Sequence, residues 1–372
     1  VSMAQHNARA WEFFRRIGSP KFIVAPMVDQ SELAYRLLCR RHGAHMCYTP
    51  MFHARLFATD EKYRREQFTT CPEDRPLSVQ FCGNDPQTIL AAAKLVENDC
   101  DEVNLNLGCP QGIARRGRYG AFLLTETELL EDIVSTLHKN LKVPVTCKIR
   151  LLSTLEATIE LAQRLEAAGC AILTVHGRTK EQKKLMTGAV DWHAIRAIKE
   201  AVGIPVIANG GIETLEDVER CLAVTTADGV MTSEAVLENP FIFEGINVSG
   251  ESQDRAAREY LAICAESPET MPGLKCIRSH LFRFLFTGFQ RPEFHLLRND
   301  LGKSRTLEDM LVVAEQIAKG RQEEYGTALD TSSTSWYRRH QDAPSVAETT
   351  STTPQEEEEN DQDLTKQLTI FD

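Results

Sequence analysis

Between Phe22 and Ser233 the chain alternates short β-rich runs with longer amphipathic stretches, and this alternation constrains its fold more than any other feature. The β-rich runs are Phe22–Met27, His45–Pro50, Pro76–Cys82, Glu102–Cys109, Pro144–Arg150, Ala171–Arg178, Pro205–Gly211 and Ala227–Ser233. Helical patterns separate them at Ser31–His42, Pro86–Asn98, Thr125–Asn140, Thr154–Ala168, Trp192–Val202 and Thr214–Leu222. Ser31, Thr125 ahead of Glu128 and Thr214 ahead of Asp217 read as N-caps, and Gly43, Gly169 and Gly203 as stops. Eight parallel strands alternating with helices in roughly 220 residues predict an α/β protein built on a (β/α)8 TIM barrel. An open dinucleotide-binding sheet would carry G-x-G-x-x-G after the first strand, and that pattern is missing.

The strand signal stops after Pro240. Arg255–Cys264, Leu274–Phe289, Glu293–Asp300 and Thr306–Tyr325 read as helices, so a smaller all-helical domain is expected after the barrel. From Thr327 the chain is rich in Ser, Thr and acids, too polar to bury a core, and disorder is expected there. The reading divides into a 1–20 extension, a 21–245 barrel, a 246–326 helical domain and a 327–372 acidic tail.

Eleven cysteines without a C-x-x-C pair, and no His-rich cluster, predict reduced thiols in a cytoplasmic or nuclear protein and no metal site. The first residues lack the apolar core of a secretory signal, and no run approaches the roughly 18 apolar residues of a membrane span. The net charge of −11 is uneven: residues 327–372 hold −7 of it. Leu274–Arg305 carries Lys275, Arg278, Arg283, Arg291, Arg298, Lys303 and Arg305 against Glu293 and Asp300, a basic face suited to phosphates.

Strand phase locates the chemistry. Ser78 and Gln80 share one face, as do Asn104 and Asn106, then Thr146, Lys148 and Arg150, then Thr174, His176 and Arg178, while their alternates are mostly apolar. Such polar residues would meet at the C-terminal mouth of a barrel, where barrel enzymes keep their active sites. The Asn209-Gly210-Gly211 loop after the seventh strand suits a phosphate, which with a planar polar site suggests FMN. Lys148 and Gln80 would face the flavin's pyrimidine edge, with Pro26, Met27 and Val28 backing the ring. Cys109, at the end of EVNLNLGCPQ, is then a general acid, since a free thiol is mostly protonated at neutral pH.

These residues resemble the tRNA-dihydrouridine synthases. The resemblance rests on APMVDQSE (25–32), QFCGNDP (80–86), NLNLGCPQ (104–111), RRGRYGAFLL (115–124), CKIR (147–150), TVHGRTKEQ (174–182) and IANGGI (207–212), and covers roughly residues 20–325. PMVDQSE and HGRTKEQK are most similar to the eukaryotic branch that modifies uridines 16 and 17 of the D-loop.

The resemblance implies that FMN is held by Pro26, Met27, Val28, Gln80, Lys148, His176, Asn209, Gly210 and Gly211, with backbone at Ser233 and Glu234. Many members carry Gly-Arg where this chain has Ser233-Glu234, so the Glu234 carboxylate must turn away from the phosphate. Cys109 would protonate uracil C5 while hydride reaches C6. Asn106 and Arg178 would hold the uracil edge, and NADPH, or NADH, would reload the flavin. Basic groups at Arg115, Arg116, Lys275, Arg278, Arg283, Arg298, Lys303 and Arg305 would bind tRNA, with no DNA or membrane partner and a monomeric state expected. Two other readings stand beside this one: a flavin barrel dehydrogenase of a free pyrimidine, and a non-catalytic RNA-binding barrel.

Overall fold

The computed structural model describes residues 2–183 and 187–322. Nine parallel strands form its sheet: β1 Phe22–Val24, β2 Met46–Tyr48, β3 Phe52–His53, β4 Leu77–Cys82, β5 Glu102–Leu107, β6 Val145–Leu151, β7 Leu173–Thr179, β8 Val206–Asn209 and β9 Gly229–Thr232. The order β2-β1-β9-β8-β7-β6-β5-β4 closes through a β2–β4 pairing, giving an eight-stranded barrel with the two-residue β3 appended to β4. All eight anticipated strands are present. Pro76, Pro144 and Pro205 each stand just before a strand, where a missing N–H interrupts no ladder.

Register sets the interior. Ser78 pairs with Glu102, Gln80 with Asn104, Asn104 with Thr146, Asn106 with Lys148 and Arg150 with His176. Period-2 alternation turns these groups inward, while Val79, Phe81, Val103, Leu105, Val145, Ile149 and Val175 are buried in the hydrophobic core.

Local signals behave as anticipated at some helix ends and not at others. Thr214 and Asp217 form a reciprocal capping box, and Gly169 ends its helix in the left-handed region at φ 116°. The helix expected from Thr125 begins at Thr127 behind Glu126, without a side-chain cap. Ser31 does not cap Leu33–Arg41; its hydroxyl oxygen accepts the Met27 N–H at 3.0 Å and shapes the loop after β1. Gly203 is not in the left-handed region; it lies close to the N-terminal segment, where a Cβ would stand 2.1 Å from the end of the Asn7 side chain.

The N-terminal residues are not a bare extension. Met3–Arg16 is a helix started by a Ser2–Gln5 capping box, with Ala10, Phe13 and Phe14 buried. Its Trp11 Nε1 donates to the Gly203 carbonyl at 2.7 Å and His6 Nε2 lies 2.8 Å from the Cys170 oxygen, both just before β-strands, so it covers the barrel's N-terminal end.

The C-terminal region contains helices Gly250–Glu266, Leu274–Phe284, Phe286–Phe289, His295–Lys303 and Leu307–Gly320. It docks on the loop after β1: Tyr260 OH donates to Glu32 Oε1 at 2.6 Å, His280 Nε2 is 3.0 Å from Glu32 Oε2, and Gln30 Nε2 donates to Ser279 at 3.1 Å. The His280 pairing holds the Glu32 carboxyl at about 2 even though burial opposes it. Among the described residues no helix is long and apolar enough to cross a membrane. The acidic tail lies outside the described residues.

Candidate active site

A cavity of about 820 Å3 opens at the C-terminal ends of the strands. That size and position are those of a small-molecule or cofactor site. Pro26, Met27 and Val28 from the loop after β1 form part of its wall, with Gln80, Asn106, Cys109, Lys148, His176, Ser233 and Glu234 around it. Arg283 reaches the same cavity from the helical region.

The thiol sits on a heavily braced turn. Asn106 Oδ1 accepts the N–H groups of Gly108 and Cys109 at 3.1 and 3.0 Å. The Cys109 carbonyl accepts the Ala121 N–H at 3.0 Å, Arg150 Nε donates to the Gly108 carbonyl at 2.8 Å, and Lys183 Nζ donates to the Pro110 carbonyl at 3.0 Å. Burial raises the Cys109 pKa, outweighing the Gln111 backbone and the cations Arg150, Lys148 and Lys183. The thiol therefore stays protonated through neutral pH, the form a proton donor needs.

Lys148 makes no side-chain hydrogen bond among the described residues, and burial with the nearby Arg150 pushes its pKa down to about 7. A cavity-facing amine of this kind suits an electron-rich or anionic ligand edge. His176 is held well below its usual pKa by burial and then by Lys148, Arg150 and Arg178. It is neutral, and its Nε2 accepts from Arg178 at 3.2 Å.

Several anticipated residues stand behind the wall. Asn209 Nδ2 donates to the Met231 carbonyl at 2.9 Å, Trp192 Nε1 donates to the Gly210 carbonyl at 3.0 Å, and neither they nor Gly211 line the cavity. A Cβ on Gly210 would lie 2.9 Å from His176 Cδ2, so a bare backbone is needed there. Arg178 is packed against His176 and the Gly188 carbonyl and does not line the cavity. Arg115, Arg116, Lys275, Arg298, Lys303 and Arg305 are exposed, whereas Arg278 is half-buried and donates to the Ser304 carbonyl at 2.8 Å.

Other wall residues had not been anticipated. Met51, His53 and Tyr63 come from the segment between β2 and β4, which the βα pattern left unassigned. Tyr119 lies in the RRGRYGAFLL motif and meets His53 edge to face at 5.7 Å. Arg150 was in the correct phase, and its bond to Gly108 appears only once the β5–β6 register is known.

Residues 23–295 match the family model described as dihydrouridine synthase (Dus). The chain is 50% identical over 319 residues to the tRNA-dihydrouridine(16/17) synthase [NAD(P)(+)]-like protein of Rattus norvegicus, covering 85% of this chain and 71% of that one. It is 47% identical over 284 residues to the tRNA-dihydrouridine(16/17) synthase [NAD(P)(+)] of Saccharomyces cerevisiae (74% and 67% covered), and 44% over 293 residues to that of Schizosaccharomyces pombe (76% and 73% covered). The chain belongs to the dihydrouridine synthase family.

Proposed function

We propose that this chain reduces the C5=C6 bond of uridine to dihydrouridine at positions 16 and 17 of the tRNA D-loop, with FMN as resident cofactor and NADPH as reductant. The observation that carries this reading is Cys109: a protonated thiol on a braced turn, at the mouth of a barrel where Lys148 and His176 line the same cavity from the next two strands. The donor set fits FMN. Gln80 and Lys148 suit the polar edge of the ring, Met27 its apolar face, and the Ser233–Glu234 backbone the phosphate, with the Gly210 loop standing behind the wall. Bound and reduced, the flavin supplies the hydride received at C6.

Cys109 Sγ gives its proton to C5, and Asn106 keeps the turn in place for that transfer. A uracil stacked in folded tRNA cannot reach the cavity, so the base must leave the stack at a cost of a few kcal/mol. Lys275, Arg298, Lys303 and Arg305 offset this cost through phosphate contacts. A reductase of a free pyrimidine would need no such basic helical region, and a non-catalytic barrel would need no enclosed thiol and lysine.

The purified protein should be yellow and should oxidise NADPH faster when unmodified tRNA is added. A colourless protein, or an unchanged rate, overturns the reading. tRNA affinity should fall as salt rises, with a log–log slope of about −0.7 to −0.9 per phosphate contact, and Arg298→Glu with Lys303→Glu should flatten it by about 2. A slope near zero would exclude the basic face as the tRNA contact.

A further inference from the structure

The turn carrying Cys109 is tied to the centre of the barrel by one continuous chain of side-chain hydrogen bonds. It begins at Glu102, buried at the start of β5, whose Oε1 accepts from Tyr48 OH at 3.1 Å and from Thr146 Oγ1 at 2.9 Å. Thr146 has a single hydroxyl proton and gives it to Glu102, so its oxygen is left to accept from Asn104 Nδ2 at 2.9 Å. Asn104 Oδ1 then accepts from Gln80 Nε2 at 2.8 Å, and Gln80 Oε1 accepts from Asn106 Nδ2 at 2.8 Å. The last acceptor, Asn106 Oδ1, is thereby turned to the N–H groups of Gly108 and Cys109.

Each amide in this chain could be rotated by 180° with little change in shape, and only its neighbours decide which end carries oxygen. The two ends demand the same polarity: the backbone N–H groups need an acceptor, and the carboxylate needs donors. If the Glu102 end is removed, Thr146 becomes free to donate to Asn104. The rotated series, which sets Asn106 Nδ2 against two backbone N–H donors, is then opposed from one end of the chain instead of two, and the turn is held less firmly.

We propose that Glu102 is a positioning residue for Cys109, acting as the acceptor that fixes the direction of the Thr146–Asn104–Gln80–Asn106 chain and through it the thiol-bearing turn. The proposal rests on the proposed function only in taking Cys109 as the proton donor. Glu102 is not bound to be ionised for this role. Burial pushes its carboxyl up to about 7 despite the hydroxyls around it, and Oε2 is buried without a hydrogen-bond partner. A proton on Oε2 leaves Oε1 an acceptor, so glutamine, with its amide oxygen toward Thr146, can do the same work.

Three variants in the full-length protein test this: Glu102→Leu, Glu102→Gln and Thr146→Val. Glu102→Leu and Thr146→Val should each slow single-turnover reoxidation by tRNA about tenfold or more, because small displacements of a reacting group are costly. Flavin reduction by NADPH should stay within about threefold, flavin affinity should weaken only as far as the Gln80 amide is released, and Glu102→Gln should stay within about threefold on every measure. The Leu/Val double variant should be no slower than either single one, since the same chain is cut once.

An independent readout is the rate of iodoacetamide alkylation at Cys109, followed by peptide mass spectrometry in flavin-free protein with Cys71 as internal control. It should rise about fivefold in the Leu and Val variants and hold in Gln. Equal behaviour of Leu and Gln, whether both normal or both impaired, overturns the proposal, as does additivity in the double variant. If Leu does not fold, Thr146→Val against wild type carries the same test. The alkylation arm needs no flavin or tRNA, so it separates failure of this proposal from failure of the proposed function.

Discussion

Cys109→Ala should lower uridine reduction by about 10^2 to 10^4-fold while leaving flavin binding and reduction by NADPH nearly intact, because a positioned general acid contributes on that order. The selectivity follows from the geometry. The turn is held through backbone atoms by Asn106, Ala121, Arg150 and Lys183, so removing the sulfur leaves those bonds in place. The pH profile should separate the roles. Burial raises the thiol's pKa, so the competent protonated form persists through neutrality and is lost as pH rises through that raised value, a step above the one near 7 at which Lys148 loses its charge. Single-turnover reoxidation of the reduced protein by tRNA across pH 6–10 is the measurement. Normal turnover in the alanine variant would remove Cys109 as the proton donor.

Much of this site was legible in the sequence because a strand's period of 2 is simple. Once Val103, Leu105 and Leu107 are assigned to the outside, Asn104 and Asn106 must face in, and the same phase gathers Gln80, Lys148 and His176. Glu102 shares that phase. An acid beside Asp101 at a strand's first residue nonetheless reads as the solvent-exposed end of the strand, and its burial depends on Tyr48 and Thr146 arriving from two other strands.

Interactions that depend on inter-strand register could not be read from one strand at a time. Arg178 shows a separate limit: its phase is right, but His176 on its own strand and the Gly188 carbonyl just beyond it take up its guanidinium behind the wall. The N-terminal helix carried its own signal in the Ser2–Gln5 box and the Phe13–Phe14 pair, but its docking site at Cys170 and Gly203 lies more than 160 residues away.

Gly120 provides the second large effect, and it tests placement instead of chemistry. It adopts φ +65°, and a Cβ built there would stand 2.7 Å from the Cys109 carbonyl oxygen and 2.9 Å from Cys109 Cβ. Those are the turn's own atoms and cannot swing aside as a flexible side-chain end would. Gly120→Ala must therefore push the turn away from Tyr119–Ala121 and lengthen the 3.0 Å bond from the Ala121 N–H to the Cys109 carbonyl. A displacement approaching 1 Å should cost about 10^2-fold in reduction of tRNA. The left-handed backbone should add about 1–2 kcal/mol of lost stability.

Gly18→Ala controls for the strain: that glycine has φ +87° with nothing within 4 Å of the added methyl, so the variant should lose comparable stability and no activity. Denaturant melts and single-turnover rates on the two proteins make the comparison. If Gly120→Ala lost no more activity than Gly18→Ala, close packing of the RYGAF segment against the thiol's turn could not be what positions the proton donor.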